Sequence, residues 1–137
     1  MNNKQRMVFI NLPVSHLQTA IAYYQALGFD NNPQYTDDTA ACMVWSESIY
    51  VMLLTHDKWR SFTSRPIPAQ NSSEVMLALS CQSRAEVDTM LTRVQKAGGV
   101  IDVNPLQDHG FMYSRSLSDP DGHVWELFWM DTIAAQG

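Results

Sequence analysis

Asp119-Pro120-Asp121-Gly122-His123-Val124-Trp125-Glu126-Leu127-Phe128 is the segment that says most about the fold of this chain. Asp, Pro and Gly at the first, second and fourth positions of its opening tetrapeptide are the preferences of a type I turn. An apolar strand follows directly, and it carries one carboxylate, Glu126. Because burying a bare carboxylate is costly, this side chain is expected to have a partner.

Upstream of this segment, two others repeat one helical pattern. Apolar residues at i, i+3, i+4, i+7 and i+10 predict a helix face that begins at Leu17, and the same spacing begins again at Val87. A capping-box pattern opens each helix, with Ser15 and Ser83 as the predicted N-caps. Glycines at positions 28, 98 and 99 predict where the helices end.

Strand-like runs surround both helices in the same order, which predicts an α+β fold of two βαβββ modules. Module one spans about residues 5–57, a connector about 58–73, module two about 74–131 and a C-terminal tail 132–137. A module this small cannot bury its sheet face alone, so both are expected to pair in one domain. The predicted strands are 7–12, 32–36, 40–45, 49–55, 75–80, 100–103, 111–117 and 123–130.

Composition and charge narrow the function classes. The chain has 137 residues, 45% of them hydrophobic, and a net charge of −5. It has no run of Lys or Arg, so neither nucleic acid nor an anionic membrane is an expected partner. The polar N-terminus and the lack of a long apolar segment predict a cytoplasmic protein without signal peptide or membrane span. Cys42 and Cys81 lack metal-type spacing and are expected to be buried free thiols.

Paired βαβββ modules that end in D-P-D-G-H-x-W-E resemble the vicinal oxygen chelate superfamily, which includes glyoxalase I, extradiol dioxygenases and bleomycin-resistance proteins. The similarity covers residues 8–131. Segments 11–14, 40–44, 50–55 and 108–113 look like a bacterial branch labelled predicted lactoylglutathione lyase. The resemblance implies a glyoxalase/bleomycin-resistance-like domain whose half-sheets line a cleft, and a homodimer.

Metal-dependent relatives carry one ligand on the first and last strand of each module. The matching positions here are Phe9, Leu53, Met76 and Glu126, and only Glu126 suits a hard or borderline divalent cation. Moving the first three positions by one residue finds no ligand either. The resemblance therefore implies loss of the usual metal site, and no cofactor is predicted. This weakens the lyase label, because that chemistry uses a metal as Lewis acid. A divalent metal held at Glu126 in an unusual way is the alternative.

Counted as a regular hairpin outward from the turn, Arg115 pairs directly with Glu126. The resemblance implies that the face with this Glu lines the cleft, so Tyr113, Arg115, Glu126 and Phe128 would form the cleft floor, with residues 112, 114, 125, 127 and 129 on the outer face. Two interpretations stay open for the pair: a structural ion pair, or an Arg115 that replaces the metal charge and binds an anionic ligand. A bulge beside the turn would shift this pairing by one residue.

Two function classes follow. The first is binding of a small, in one version anionic, molecule in an apolar cleft without the usual metal. The second is a lyase- or dioxygenase-type enzyme for a small carbonyl or aromatic substrate, which uses Glu126, His109, Tyr113 and Arg115 or a noncanonical metal. His109 is the best general-base candidate because loops at strand starts often reach a cleft. The predicted ligand contacts are Arg115, Asn11, Phe9, Leu53, Met76 and Phe128.

Overall fold

A computed structural model describes residues 6–133 of the chain. The chain divides into two compact units between Ile67 and Pro68, inside the predicted connector. Residue 5, where the first module was predicted to start, and residues 134–137 of the predicted tail lie outside the described residues. The pairing of both modules in one domain stays a prediction.

Unit 1 has the predicted βαβββ order, followed by a helix that was not predicted. Its sheet order is β1-β4-β3-β2, with β1 parallel to β4 and the other pairs antiparallel. The strand predicted at 32–36 is wrong, because a proline cannot donate to a ladder and the chain forms a 3-10 turn at Pro33–Tyr35. The elements are β1 (Val8–Val14), α1 (Leu17–Leu27), β2 (Asp30–Asn32), β3 (Ala40–Val44), β4 (Ile49–Thr55) and α2 (His56–Phe62).

Unit 2 repeats the plan with one interruption. Its sheet order is β5-β9-β8-β6, and β7 also pairs with β8. The strand predicted at 100–103 is shorter than expected, because the chain leaves the ladder after Ile101 and rejoins β8 at Gln107. The elements are β5 (Met76–Ser80), α3 (Arg84–Lys96), β6 (Val100–Ile101), β7 (Gln107–Asp108), β8 (Met112–Ser118) and β9 (Val124–Met130).

The two helices of the repeat differ at their N-termini. Ser83 caps α3 as predicted, and its hydroxyl accepts the backbone N–H of Glu86 at 3.0 Å. The predicted N-cap of α1 is wrong by one residue, because His16 occupies that position and its side chain makes no capping bond. Gly28 closes α1 in the left-handed conformation with φ 113°. The helix positions were therefore predictable to within about one turn.

Each sheet has one face covered by its own helix. In unit 2, Val87 and Leu91 of α3 are buried together with Leu117, Trp125 and Leu127 of the sheet. Complete burial of each such aliphatic side chain contributes roughly 1.5–3 kcal/mol. We call the opposite side of this sheet the helix-free face of unit 2. It carries the even-numbered residues of β5, β8 and β9: Met76, Ala78, Ser80, Met112, Ser114, Ser116, Ser118, Val124, Glu126, Phe128 and Met130.

Two smaller predictions concern thiols and membranes. Cys42 and Cys81 are buried and free, as predicted. Burial raises the pKa of both thiols, that of Cys81 to about 11 with a further contribution from Glu86, which keeps them protonated and unreactive. Within residues 6–133, no helix has the length and apolar character needed to cross a membrane.

Candidate functional site

The turn before β9 contains one residue more than the regular hairpin predicted. Gly122 donates its N–H to the Asp119 carbonyl at 3.0 Å, and Asp119 donates its own N–H to the His123 carbonyl at 2.9 Å. Gly122 has φ 89°, in the left-handed region. A type I turn followed by a left-handed glycine is a three-residue hairpin loop with a bulge. The Asp119 carboxylate stabilises it by accepting the N–H groups of Asp121 and His123, both at 2.9 Å.

This loop shifts the register by one residue and reverses a central prediction. Glu126 pairs with Ser116, and Arg115 pairs with Leu127. Because side chains alternate along a strand, Arg115 and Glu126 lie on opposite faces of the sheet. The predicted Arg115–Glu126 pair is wrong, and so is a cleft floor that joins Tyr113 and Arg115 to Glu126. Phe128 does share the face of Glu126, as predicted.

Arg115 is engaged on the helix-covered face. Its Nε and Nη2 donate to the two carboxylate oxygens of Asp102 at 3.0 and 2.6 Å. Its Nη1 donates to Asp88 of α3 at 2.9 Å. The Arg115 side chain is only 18% exposed, so these hydrogen bonds contribute more to stability than those of an exposed surface pair. Arg115 thus ties β8 to α3 and to the chain after β6, which supports the structural interpretation.

Tyr113 belongs to the same cluster. Its hydroxyl donates to Asp88 at 2.7 Å. Burial, with Asp88 as a second cause, raises the pKa of Tyr113, so its proton stays with the phenol. The guanidinium of Arg84 lies over its ring, 5.0 Å from the centroid, and binds both oxygens of Asp108 at 2.8 and 2.9 Å. The predicted position of Tyr113 beside Glu126 is therefore wrong, because the phenol is oriented towards α3.

Glu126 sits half-buried on the helix-free face. Among the residues that the structure describes, its only hydrogen-bond partner is the Ser114 hydroxyl, at 3.4 Å. The side chains beside it are apolar or small, and Met76 at the edge is 57% exposed. No Lys or Arg of β5, β8 or β9 shares this face. This carboxylate is consequently available to a ligand, and its electrostatic preference is for a hydrogen-bond donor or a cation.

His109 is exposed in the loop between β7 and β8, and its backbone N–H donates to the Met112 carbonyl at 2.9 Å. Met112 pairs with Met130, four positions along β9 from Glu126, which is roughly 13 Å at the strand rise per residue. Unit 2 therefore does not place these two predicted catalytic groups within hydrogen-bonding reach of each other.

The remaining predicted residues belong to unit 1. Phe9 is 48% exposed and stacks on Tyr50, with ring centroids 4.5 Å apart and an angle of 8° between planes. Asn11 is exposed on the same side of β1, next to Met52 of β4. Leu53 is completely buried on the opposite, helix-covered side, so its predicted ligand contact is wrong. The alternation of side chains puts Met52 in its place.

One residue of the site was not predicted. Asn104 lies in the segment between β6 and β7, where the chain is outside the sheet. Its backbone N–H donates to the Ser116 hydroxyl at 2.7 Å. The same hydroxyl donates to the Asn104 carbonyl at 3.2 Å. The Asn104 amide nitrogen contacts the Met76 sulfur at 3.4 Å. The serines of β8 and the Asn-Pro dipeptide at 104–105 were the signals that could have indicated it.

The architecture and the sequence agree on the family. Residues 6–127 match the family model of the Glyoxalase/Bleomycin resistance protein/Dioxygenase superfamily. The chain belongs to this superfamily. Hypothetical protein SA1046 from S. aureus is similar to this superfamily member, with 27% identity and a TM-score of 0.77 over 93% of this chain and 95% of that one. No curated protein matches the sequence.

Two further solved structures share the superfamily fold. TnmS3, an antibiotic binding protein from Streptomyces sp. CB03234, has 19% identity and a TM-score of 0.62, covering 95% of this chain and 99% of its own. The fosfomycin resistance protein FosX from Listeria monocytogenes has 18% identity and a TM-score of 0.64, covering 92% and 91%. At these identities the likeness concerns the fold.

The four positions of this chain that match metal ligands in the superfamily offer few groups that could bind a metal. Of the four positions matched to ligands, Phe9 and Leu53 offer no donor, and Met76 offers a soft thioether. Within the described residues 6–133, no three His, Cys, Asp or Glu side chains come together in a metal-binding group. A hard or borderline divalent cation therefore does not fit a single carboxylate flanked by apolar groups.

Proposed function

We propose that this superfamily member binds a small molecule on the helix-free face of unit 2, without the usual metal site. The ligand presents an apolar body to Met76 and Phe128 and a hydrogen-bond-donating, preferably cationic, group to Glu126. The observation that carries the proposal is the half-buried Glu126 carboxylate, whose only hydrogen-bond partner among the described residues is a hydroxyl 3.4 Å away. An apolar surface with few polar groups is typical of small-molecule sites.

The charge preference replaces the anionic version of the sequence-based hypothesis. That version required Arg115 beside Glu126, whereas Arg115 is bound to Asp88 and Asp102 on the other face. A ligand carboxylate at Glu126 would meet like charge, and a ligand ammonium or amidinium would form a charge-assisted hydrogen bond. Binding of a small molecule is also the property by which a neighbour of the same fold, TnmS3, is described, since it is an antibiotic binding protein.

Three planar probes of nearly identical shape test this preference: benzamidinium, benzamide and benzoate. We expect calorimetric affinity to fall in that order for the wild-type protein, because the probe group changes from cation to neutral donor to anion. Glu126→Gln removes the charge at constant size and should abolish most of the advantage of benzamidinium over benzamide. Glu74→Gln, at an exposed position of unit 2, is the matched control and should leave the order unchanged.

Two results would overturn the proposal. If benzoate binds best, or if Glu126→Gln leaves all three affinities unchanged, the helix-free face of unit 2 is not the ligand site. Elemental analysis of protein purified without chelators tests the metal-free part separately. Stoichiometric zinc, nickel, iron or manganese that disappears in Glu126→Gln would show that the carboxylate holds a metal after all.

A further inference from the structure

We propose that Asn104 is a specificity-determining residue, whose carboxamide oxygen acts with the Glu126 carboxylate to select ligand groups that carry two N–H donors, such as an amidinium. This inference deepens the proposed function and rests on it. It is supported by the course of the chain after β6, by the atoms that the contacts of Asn104 leave free, and by the bonds that hold this residue in place.

Contacts on both sides of β9 place Asn104 above that strand. The Asn104 backbone binds Ser116, which belongs to β8 and pairs with Glu126. The Asn104 side chain contacts Met76, which belongs to β5 and pairs with Val124 of β9. Because β9 lies between β5 and β8 in the sheet, the Asn104 side chain crosses the helix-free face of unit 2 next to Glu126.

Next to Glu126, the oxygen of the Asn104 carboxamide adds a second hydrogen-bond acceptor. One N–H of the Asn104 amide nitrogen donates to the Met76 sulfur, a weak acceptor, and this contact orients the carboxamide. Its carboxamide oxygen has no hydrogen-bond partner in the part of the chain that the structure describes, and the Glu126 carboxylate also only accepts. Two neighbouring acceptors suit a ligand group with two donors. A ligand carbonyl or carboxylate would leave both without a donor, which is costly in a half-buried site.

Asn104 is held in position from the other face of the sheet. Asp102 has φ 55°, a left-handed conformation uncommon for a residue with a side chain. Its N–H donates to the Ser116 carbonyl at 2.7 Å, and Arg115 donates to both of its carboxylate oxygens. These contacts fix the chain two residues before Asn104. Asp102 and Ser116 are therefore positioning residues, and Arg115 acts on the ligand site only through them.

The experiment measures benzamidinium and benzamide binding by calorimetry in wild type, Asn104→Ala and Asn104→Asp. Asn104→Ala keeps the backbone bonds to Ser116 and should weaken benzamidinium about tenfold, the typical effect of losing one hydrogen bond to a charged group. Asn104→Asp retains an acceptor and should retain benzamidinium binding. Asn71→Ala, at an exposed position of unit 2, is the control. The Met76 methyl resonance should shift in Asn104→Ala, which reports the contact independently of any ligand.

The outcomes distinguish a failure of the role of Asn104 from a failure of the proposed function. If wild type binds benzamidinium through Glu126 and Asn104→Ala binds it equally well, the role of Asn104 is overturned and the proposed function stands. If wild type does not bind benzamidinium, the proposed function fails, and the role of Asn104 in it fails too. An unshifted Met76 methyl resonance contradicts the placement of Asn104 in either case. Should Asn104→Ala not fold, Asn104→Leu supplies the same comparison.

Discussion

Replacing Arg115 with methionine tests whether this side chain is structural. The guanidinium makes three hydrogen bonds, two to Asp102 and one to Asp88. Hydrogen bonds to charged groups contribute about 1.5–3 kcal/mol each when well buried. The Asp88 and Asp102 carboxylates are 52% and 39% exposed, so solvent screening reduces the expected total loss to about 2 kcal/mol. Methionine keeps much of the apolar stem, so the loss reports mainly the polar contacts.

The assay is equilibrium unfolding in urea, followed by circular dichroism. Arg60→Met is the matched control, because Arg60 forms an ion pair with Asp57 at 3.7 Å in which both side chains are largely exposed. That pair should contribute less than about 0.5 kcal/mol. If Arg115→Met destabilises the protein no more than Arg60→Met does, the structural interpretation of Arg115 is refuted. A ligand role would then have to be reconsidered.

Three further predictions concern pH, the turn and a helix cap. The pKa of Asp88 is lowered by hydrogen bonds from Tyr113 and then Arg115, and that of Asp102 by Arg115. Their contribution to stability is therefore present above the unfolded-state pKa of about 4 and lost as pH falls below it. Gly122→Ala should lower the free energy of unfolding by at least about 2 kcal/mol, because the added Cβ would clash with the Gln70 backbone and because φ at this position is left-handed. Ser83→Ala should lower the free energy of unfolding by about 1 kcal/mol, the usual contribution of an N-cap.

Matched measurements check these three. Urea titrations at pH 2.5 to 7 should show a shallower loss of stability in Arg115→Met than in wild type, and parallel curves would contradict the assignment. Gly110→Ala is the control for the turn, since its φ is 81° but, apart from its two chain neighbours, no described residue has an atom within 4 Å of the added Cβ. An equal cost at both glycines would contradict the close approach to Gln70. Ser72→Ala, in an exposed loop, should leave stability unchanged, in contrast to Ser83→Ala.

Much of the fold could be predicted because its signals are local. The strand at Ile49–Thr55 has the predicted ends, and both repeat helices lie where the apolar spacing indicated. The helix at His56–Phe62 was missed because seven residues are too few to show a helical period. Asn104 was missed because its importance comes from Ser116 and Met76, which are distant in sequence and adjacent only in the folded sheet.

Residue type and spacing alone were enough to predict the two βαβββ modules and a lone Glu126 among apolar residues, and the resemblance of the closing segment to a known family indicated the superfamily. They could not tell which side chains share a face with that carboxylate, because the answer depends on the register of the folded hairpin. The left-handed Gly122 adds one residue to the loop, and side chains alternate with a period of two. A shift of a single position therefore places Arg115 on the helix-covered face of the sheet and Glu126 on the helix-free face.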